Sequence, residues 1–151
     1  MKLFTSLFVL IGLAGLFMYV NSLSPYGDSE VSGRITIVVR NETGETVIDA
    51  TYDFTEDDTL FDLLERHHTV NWDARSGAIT GRVILGIDDV NTDFENDFLA
   101  ILITGRILNR HGETITVERH FSSVGIDGLP LLDGNTIIFE HRQVGTFKAG
   151  E

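Results

Sequence analysis

The sequence predicts an α+β fold, in which a mostly antiparallel or mixed β-sheet carries one short helix packed across it, behind an N-terminal hydrophobic segment. Three observations predict it. From Arg34 onward, short β-branched runs recur between turn residues. Only the stretch around Leu60, Phe61, Leu63 and Leu64 places apolar residues at helical spacing. Leu3 to Val20 is apolar except for Thr5, Ser6 and the small Gly12 and Gly15.

The N-terminal run follows Lys2, with no positive charge just after it, which orients its start toward the cytosol. Residues 1–22 read as a signal peptide, with Val20-Asn21-Ser22 as the cleavage site. Cleavage after Ser24 is disfavoured because Pro25 follows directly. The run also approaches the length that spans a bilayer, so an uncleaved anchor is the alternative. A buried core helix fits poorly, because nothing polar gives the stretch a second face. Under both leading readings the remainder lies outside, secreted or held at the membrane through this segment alone.

Residues 23–32 form a polar linker containing Pro25 and Gly27, and residues 33–147 form the domain. Arg34–Arg40 (RITIVVR) reads as a strand and Asn41–Glu45 as a turn. Thr46–Phe54 then alternates, completing a β-hairpin. Thr59 caps the helix, with Asp62 as a short stand-in for the capping-box glutamate and Asp57 and Asp58 at the positive end of its dipole. The helix ends near His68. Val70–Ala74 is a weak strand, Arg75-Ser76-Gly77 a turn, and Gly81–Ile87 a buried strand. Asp88–Asp97 is a polar loop. Phe98–Leu108 is the most apolar stretch and is expected to be the central strand. A turn at Asn109–Gly112 leads into Glu113–His120. After an irregular, glycine-rich Ser122–Gly134, Thr136–Arg142 closes the sheet.

A hairpin, one helix across it and then further strands is the β-grasp order. The segments "ITIVVRNETGETVIDATYDFTEDDTLFDLLERH", "ILGIDDVN…DFENDFLAILITG" and "GIDGLPLLDGNTIIFEHR" follow one another with characteristic spacing. Together, over about residues 33 to 143, they resemble the family of small domains similar to the C-terminal β-domain of transcobalamin and gastric intrinsic factor. That family also occurs as stand-alone exported domains of unknown function. The resemblance implies a β-grasp-like fold and a binding role. In the vertebrate transport proteins cobalamin is clasped between this domain and a larger helical one. This chain departs from the pattern in three ways. It shows no helical domain; Phe98, Leu99 and Ala100 stand where a tryptophan is typical; and Arg106 to Ser123 is long enough for an extra hairpin. No cofactor is therefore expected, cobalamin included.

Composition narrows the function classes. The formal net charge of −12 opposes nucleic-acid binding, which draws affinity from Lys and Arg, and offers nothing to an anionic membrane surface. The absence of cysteine excludes disulfides, thiolate metal sites and cysteine nucleophiles.

Individual residues support few chemical readings. Asp89, Asn91 and Asp93 have the spacing of calcium-loop ligands, but Phe94 occupies the turn glycine's place and Ala100 that of the bidentate glutamate. A weak site of another kind or a solvated acidic loop remains. His67 and His68 are adjacent and diverge on a helix, while His111, His120 and His141 lack metal-ligand spacing. Ser76, Ser122 and Ser123 have no nucleophile elbow. Acidic pairs such as Asp57 with Asp62 or Asp88 with Asp89 arise readily among 23 acidic residues. The chain is therefore expected not to be an enzyme. Trp72, Phe98, Ile126 and Leu129 are the candidate ligand-binding residues, set against the alternative that Trp72 and the GIDGLPLL segment simply pack in the core. Asn41-Glu42-Thr43 is an N-glycosylation sequon if the host is eukaryotic. The expected function is an exported binding module for a small molecule or protein partner. The alternative is a structural or adhesive domain that associates through a strand edge.

Overall fold

The computed structural model describes residues 31–75 and 81–145. The N-terminal segment 1–22 expected to direct export, linker residues 23–30 and the Ser76-Gly77 turn lie outside the described residues. The first hairpin pairs β1 (Gly33–Arg40) with β2 (Thr46–Phe54). Asn41 makes its turn, its side-chain oxygen accepting from the amides of Thr43 and Glu45.

Helix α1 (Leu60–His67) is amphipathic and buries Leu60, Phe61, Leu63 and Leu64. The expected capping box forms. The Asp62 amide donates to Thr59 Oγ1 at 3.1 Å, and the Thr59 amide donates to the Asp62 carboxylate at 3.1 Å. Two turns of helix hold poorly alone, so the apolar stripe docked on the sheet maintains α1.

The chain next builds a small antiparallel sheet from β3 (Val70–Arg75), β4 (Gly81–Ile87) and β5 (Val90–Asn91). It then returns as β6 (Asp97–Leu108), β7 (Thr114–Phe121), a 3-10 turn at Ile126–Gly128 and β8 (Thr136–Gln143). The larger sheet has the order β2-β1-β8-β6-β7, with β1 and β8 parallel and the other pairs antiparallel. The described fold is thus α+β, mostly sheet with one α-helix.

Two expectations need correction. β8, not β6, is the middle strand, and the sheet is closed by the insertion of the last strand between earlier ones. β3, β4 and β5 form a second sheet rather than extending the first. Hydropathy could not separate these arrangements, because β1, β6 and β8 are all interior strands buried on both faces. The extra hairpin expected within 106–123 exists as the β6–β7 ribbon.

The main core lies on the helix side of the larger sheet. Ile35, Ile37 and Val39 of β1, Ile137 and Phe139 of β8, and Leu99 and Ile103 of β6 meet α1 there. Ile84 and Ile87 from the small sheet join them, as do Ile126 and Leu129. The alternate residues Val38, Ala100, Leu102 and Ile138 form a smaller apolar cluster on the opposite face.

β6 outlasts its partner. Its ladder to β8 ends at Thr104↔Thr136, and the side chain of the buried Asn135 then takes over. That side chain accepts from the Arg106 amide at 2.7 Å and donates to the Arg106 carbonyl at 2.7 Å. Gly105 is required beside it. Its φ is +128°, and a Cβ there would collide with the Asn135 side chain.

Candidate functional site

A cleft of about 560 Å³ lies between the β2–α1 connection and the loop following the 3-10 turn. Its apolar lining comes from Phe54, Leu129, Pro130, Leu131 and Leu132, and its carboxylates are Glu56, Asp58, Asp127 and Asp133. Phe54 and Leu129 belong to the main core, so the apolar part of the cleft is rigidly backed.

Three of the four carboxylates are held by the protein's own donors. Asp58 accepts from the Thr55 amide at 2.8 Å and hydroxyl at 3.0 Å, and pairs with Arg66. The Arg66 hydrogen bond is the main reason that its carboxyl is held below the usual range, against an upward push from burial. Asp127 accepts from Arg82 twice, from the amide at 2.8 Å and from Nε at 2.6 Å. Asp133 accepts from the Arg34 amide at 2.8 Å. Glu56 is exposed. Arg66 and Arg82 compensate Asp58 and Asp127, so the uncompensated charge beside the apolar depression comes from Glu56 and Asp133 among the described residues.

The four candidate ligand residues do not come together. Ile126 is buried in the main core, and Leu129 is buried with part of its surface lining the cleft. Phe98 packs with the small cluster on the opposite face of the sheet. Trp72 stays 41% exposed on β3, edge-on to Phe61 at 5.6 Å, with the Arg82 guanidinium over the Phe61 face, 3.7 Å from its centre and 5.9 Å from that of Trp72. The pocket expected from Trp72, Phe98 and Ile126 is therefore replaced by the acidic cleft, in which Leu129 alone of the four takes part. Trp72 reaches it only indirectly, through Arg82 and Asp127.

A second cavity of about 240 Å³ lies beneath the β6–β7 ribbon, lined by Ile103, Ile107, His120 and Ile137 among others. Gly128, Leu129, Pro130 and Leu132 line both cavities, so this loop is the partition between them.

The Asp89, Asn91, Asp93 loop folds on itself. The Asp93 carboxylate accepts from the amides of Glu95 and Asn96 and from Asn96 Nδ2 at 2.7 Å, and Phe94 takes the left-handed turn conformation at φ 62°. Those amides hold the Asp93 carboxyl below its ordinary range, with Asn96 the main donor. Among the described residues, no three His, Cys, Asp or Glu side chains converge as a metal site would require. Asn41 lies in the β1–β2 turn, with the Thr43 hydroxyl donating to its oxygen at 2.7 Å.

One constellation escaped the sequence. The Tyr52 hydroxyl lies 2.7 Å from His68 Nε2, and His68 Nδ1 lies 2.8 Å from the Asp88 carboxylate, which also accepts from the Thr69 amide. This chain ties β2, the end of α1 and the β4–β5 turn together. Burial pushes the Tyr52 hydroxyl up, and the charge of Asp88 adds to it. Burial alone would raise Asp88 as well, but the Thr69 amide and His68 outweigh it and hold the carboxyl down. The members are 16 and 20 residues apart, and no local pattern signals them. For the cleft, a signal does exist: aspartates and leucines interleave in GIDGLPLLDG.

No protein-family model matches the sequence, and no curated protein does either. Among solved structures, a "putative metal binding protein" from Ruminococcus gnavus superposes with a TM-score of 0.51 at 17% identity, over 74% of this chain and 98% of the other. At that identity the likeness is one of fold.

Proposed function

We propose that the chain is an exported, non-catalytic binding module of β-grasp-like architecture, similar to the transcobalamin C-terminal domain, which takes a small amphipathic cation in the acidic cleft. The observation that carries this reading is the cleft itself. At about 560 Å³ it falls in the range of small-molecule sites, and it joins a rigid apolar lining to fixed carboxylates. The sheet order β2-β1-β8-β6-β7, with parallel neighbours β1 and β8 and a helix across the hairpin, supports the β-grasp assignment. The apolar run before the described residues supports export, as a cleaved signal or as an anchor. A protein partner presenting a lysine or arginine beside an apolar side chain would satisfy the same chemistry.

The name of the Ruminococcus gnavus protein raises a metal as the ligand. The cleft offers a metal no convergent ligand set, because Asp58, Asp127 and Asp133 each point at a donor of the protein rather than at one another, whereas an organic cation needs only Glu56 or Asp133 beside the apolar lining. The strand-edge reading has in its favour the two edge strands of the larger sheet, β2 (Thr46–Phe54), whose described ladder is to β1 alone, and β7. At β7 a bulge weighs against it, where Arg119 takes φ 49°, because bulges discourage edge pairing.

Native mass spectrometry of the protein purified from its own host tests the proposal. The expected result is a bound cationic solute that is lost when Glu56 and Asp133 are changed to Gln and Asn. A bare protein whose amide signals at residues 127–133 respond to no amphipathic cation would sink it.

A further inference from the structure

The face of the larger sheet away from α1 carries a second charged constellation, of opposite sign. Arg40 of β1, Arg119 of β7 and Arg142 of β8 converge on one carboxylate, Glu140. Arg119 Nη2 lies 2.6 Å from Glu140 Oε2, Arg142 Nη2 lies 2.8 Å from Oε1, and Arg40 Nη1 lies 3.8 Å from Oε2. The ladder dictates the convergence. Arg40 is the parallel partner of Glu140, Ala100 is its antiparallel partner, and Phe98 stands opposite Arg142.

We propose that Arg40, Arg119 and Arg142 form a binding site for a phosphate group on this face. The first argument is charge. Within ion-pairing distance three guanidiniums share the single carboxylate of Glu140, in a chain whose formal net charge is −12. The next carboxylate on this face, Asp49, stands opposite Val38, and a phosphate dianion would meet the guanidiniums more closely than it does. Donor supply is the second argument. Three guanidiniums offer about fifteen N–H groups, whereas one carboxylate accepts about four. Arg40 Nε makes the shortfall concrete, being buried with no hydrogen-bond partner among the described residues. A buried donor left unpaired costs about 1–3 kcal/mol, and an anion is the acceptor that such a group favours.

The surroundings strengthen the site. Val38, Ala100, Leu102 and Ile138 form an apolar floor beside the guanidiniums, with Phe98 and Phe121 packed against it. Charges next to such a floor interact through a lower effective dielectric than charges in open water. The side chains of Arg119 and Arg142 are 40% and 46% exposed, open to a ligand from solvent, while Glu140 is only 15% exposed beneath them. Glu140 is the internal anion that gathers the three side chains.

The test uses the full chain and two probes, inorganic phosphate and glycerol 3-phosphate, with ionic strength held constant by sodium chloride. Phosphate is expected to shift the amide signals of residues 97–104 and 136–143 saturably. The double variant Arg119→Gln/Arg142→Gln is expected to weaken binding by about tenfold or more, and Glu140→Gln to tighten it about threefold, because a competing carboxylate is gone. Both variants change exposed or partly exposed groups, and spectra matching the parent confirm that each is folded. Tighter binding of glycerol 3-phosphate than of inorganic phosphate assigns the group to an organic or lipid monoester; equal binding assigns it to the free ion. Shifts that sodium chloride reproduces, or affinity unchanged in the double variant, overturn the site.

Discussion

The two faces of the larger sheet are made by the same strands and end in different chemistry. On the inner face, Ile37, Val39, Ile137 and Phe139 are fully buried under α1, the small sheet and the 3-10 turn. On the outer face, the neighbouring residues Val38, Ala100, Leu102 and Ile138 are also buried, but the cluster is small and edged by arginines. The difference shows that hydrophobicity along a strand does not reveal what covers it. RITIVVR, FLAILITG and TIIF read as continuous apolar runs because both faces need apolar residues. One face is sealed by secondary structure, and the other by flanking side chains, whose stems can bury apolar surface while their charged ends stay wet.

The comparison breaks first under large deletions. Phe139→Ala is expected to cost about 3–5 kcal/mol in denaturant unfolding, because α1 cannot collapse into the space. Leu102→Ala, on the outer face, should cost only about 2 kcal/mol, the lower end for such a change, since arginine stems can close over it. Equal losses relative to side-chain size would show that both faces are packed alike. Leu64→Ala probes the inner cover itself and is expected to remove about 2–5 kcal/mol. An unchanged thermal melt would mean that α1 is not docked. Thr59→Ala removes the capping box and should cost about 0.5–2 kcal/mol, visible as a lower midpoint with an unaltered slope.

The smallest effect is electrostatic. Arg66 holds the Asp58 carboxyl below its ordinary value, so the fold favours the ionised form. Its stabilisation is present above the unfolded carboxylate pKa of about 3.9 and is lost as pH falls through the lower folded value. The Asp58→Asn variant should therefore lose less melting temperature between neutral pH and about pH 3 than the parent does. An identical loss in both would remove Asp58 from the account.

How much of this was legible depended on distance along the chain. Thr59 and Asp62 are three residues apart, so the cap could be read from the sequence, and the hairpin likewise from its alternation and turn. The placement of β8 between β1 and β6 could not, because it depends on which of three equally apolar strands meet in space. The same limit hid the Tyr52, His68 and Asp88 chain and the gathering of Arg40, Arg119 and Arg142 around Glu140. The size of Trp72 fits a binding surface or a core, and only the structure shows it edge-on to Phe61, partly exposed, with Arg82 nearby.

Asn135 has one more consequence. A single side chain terminates β6's contact with β8, and beyond Leu108 the ribbon closes through the Asn109 turn and Gly112. Residues spliced between Arg110 and His111 would lengthen the protein without asking any other strand to move. A fluorophore or affinity handle placed there would leave both charged surfaces uncovered.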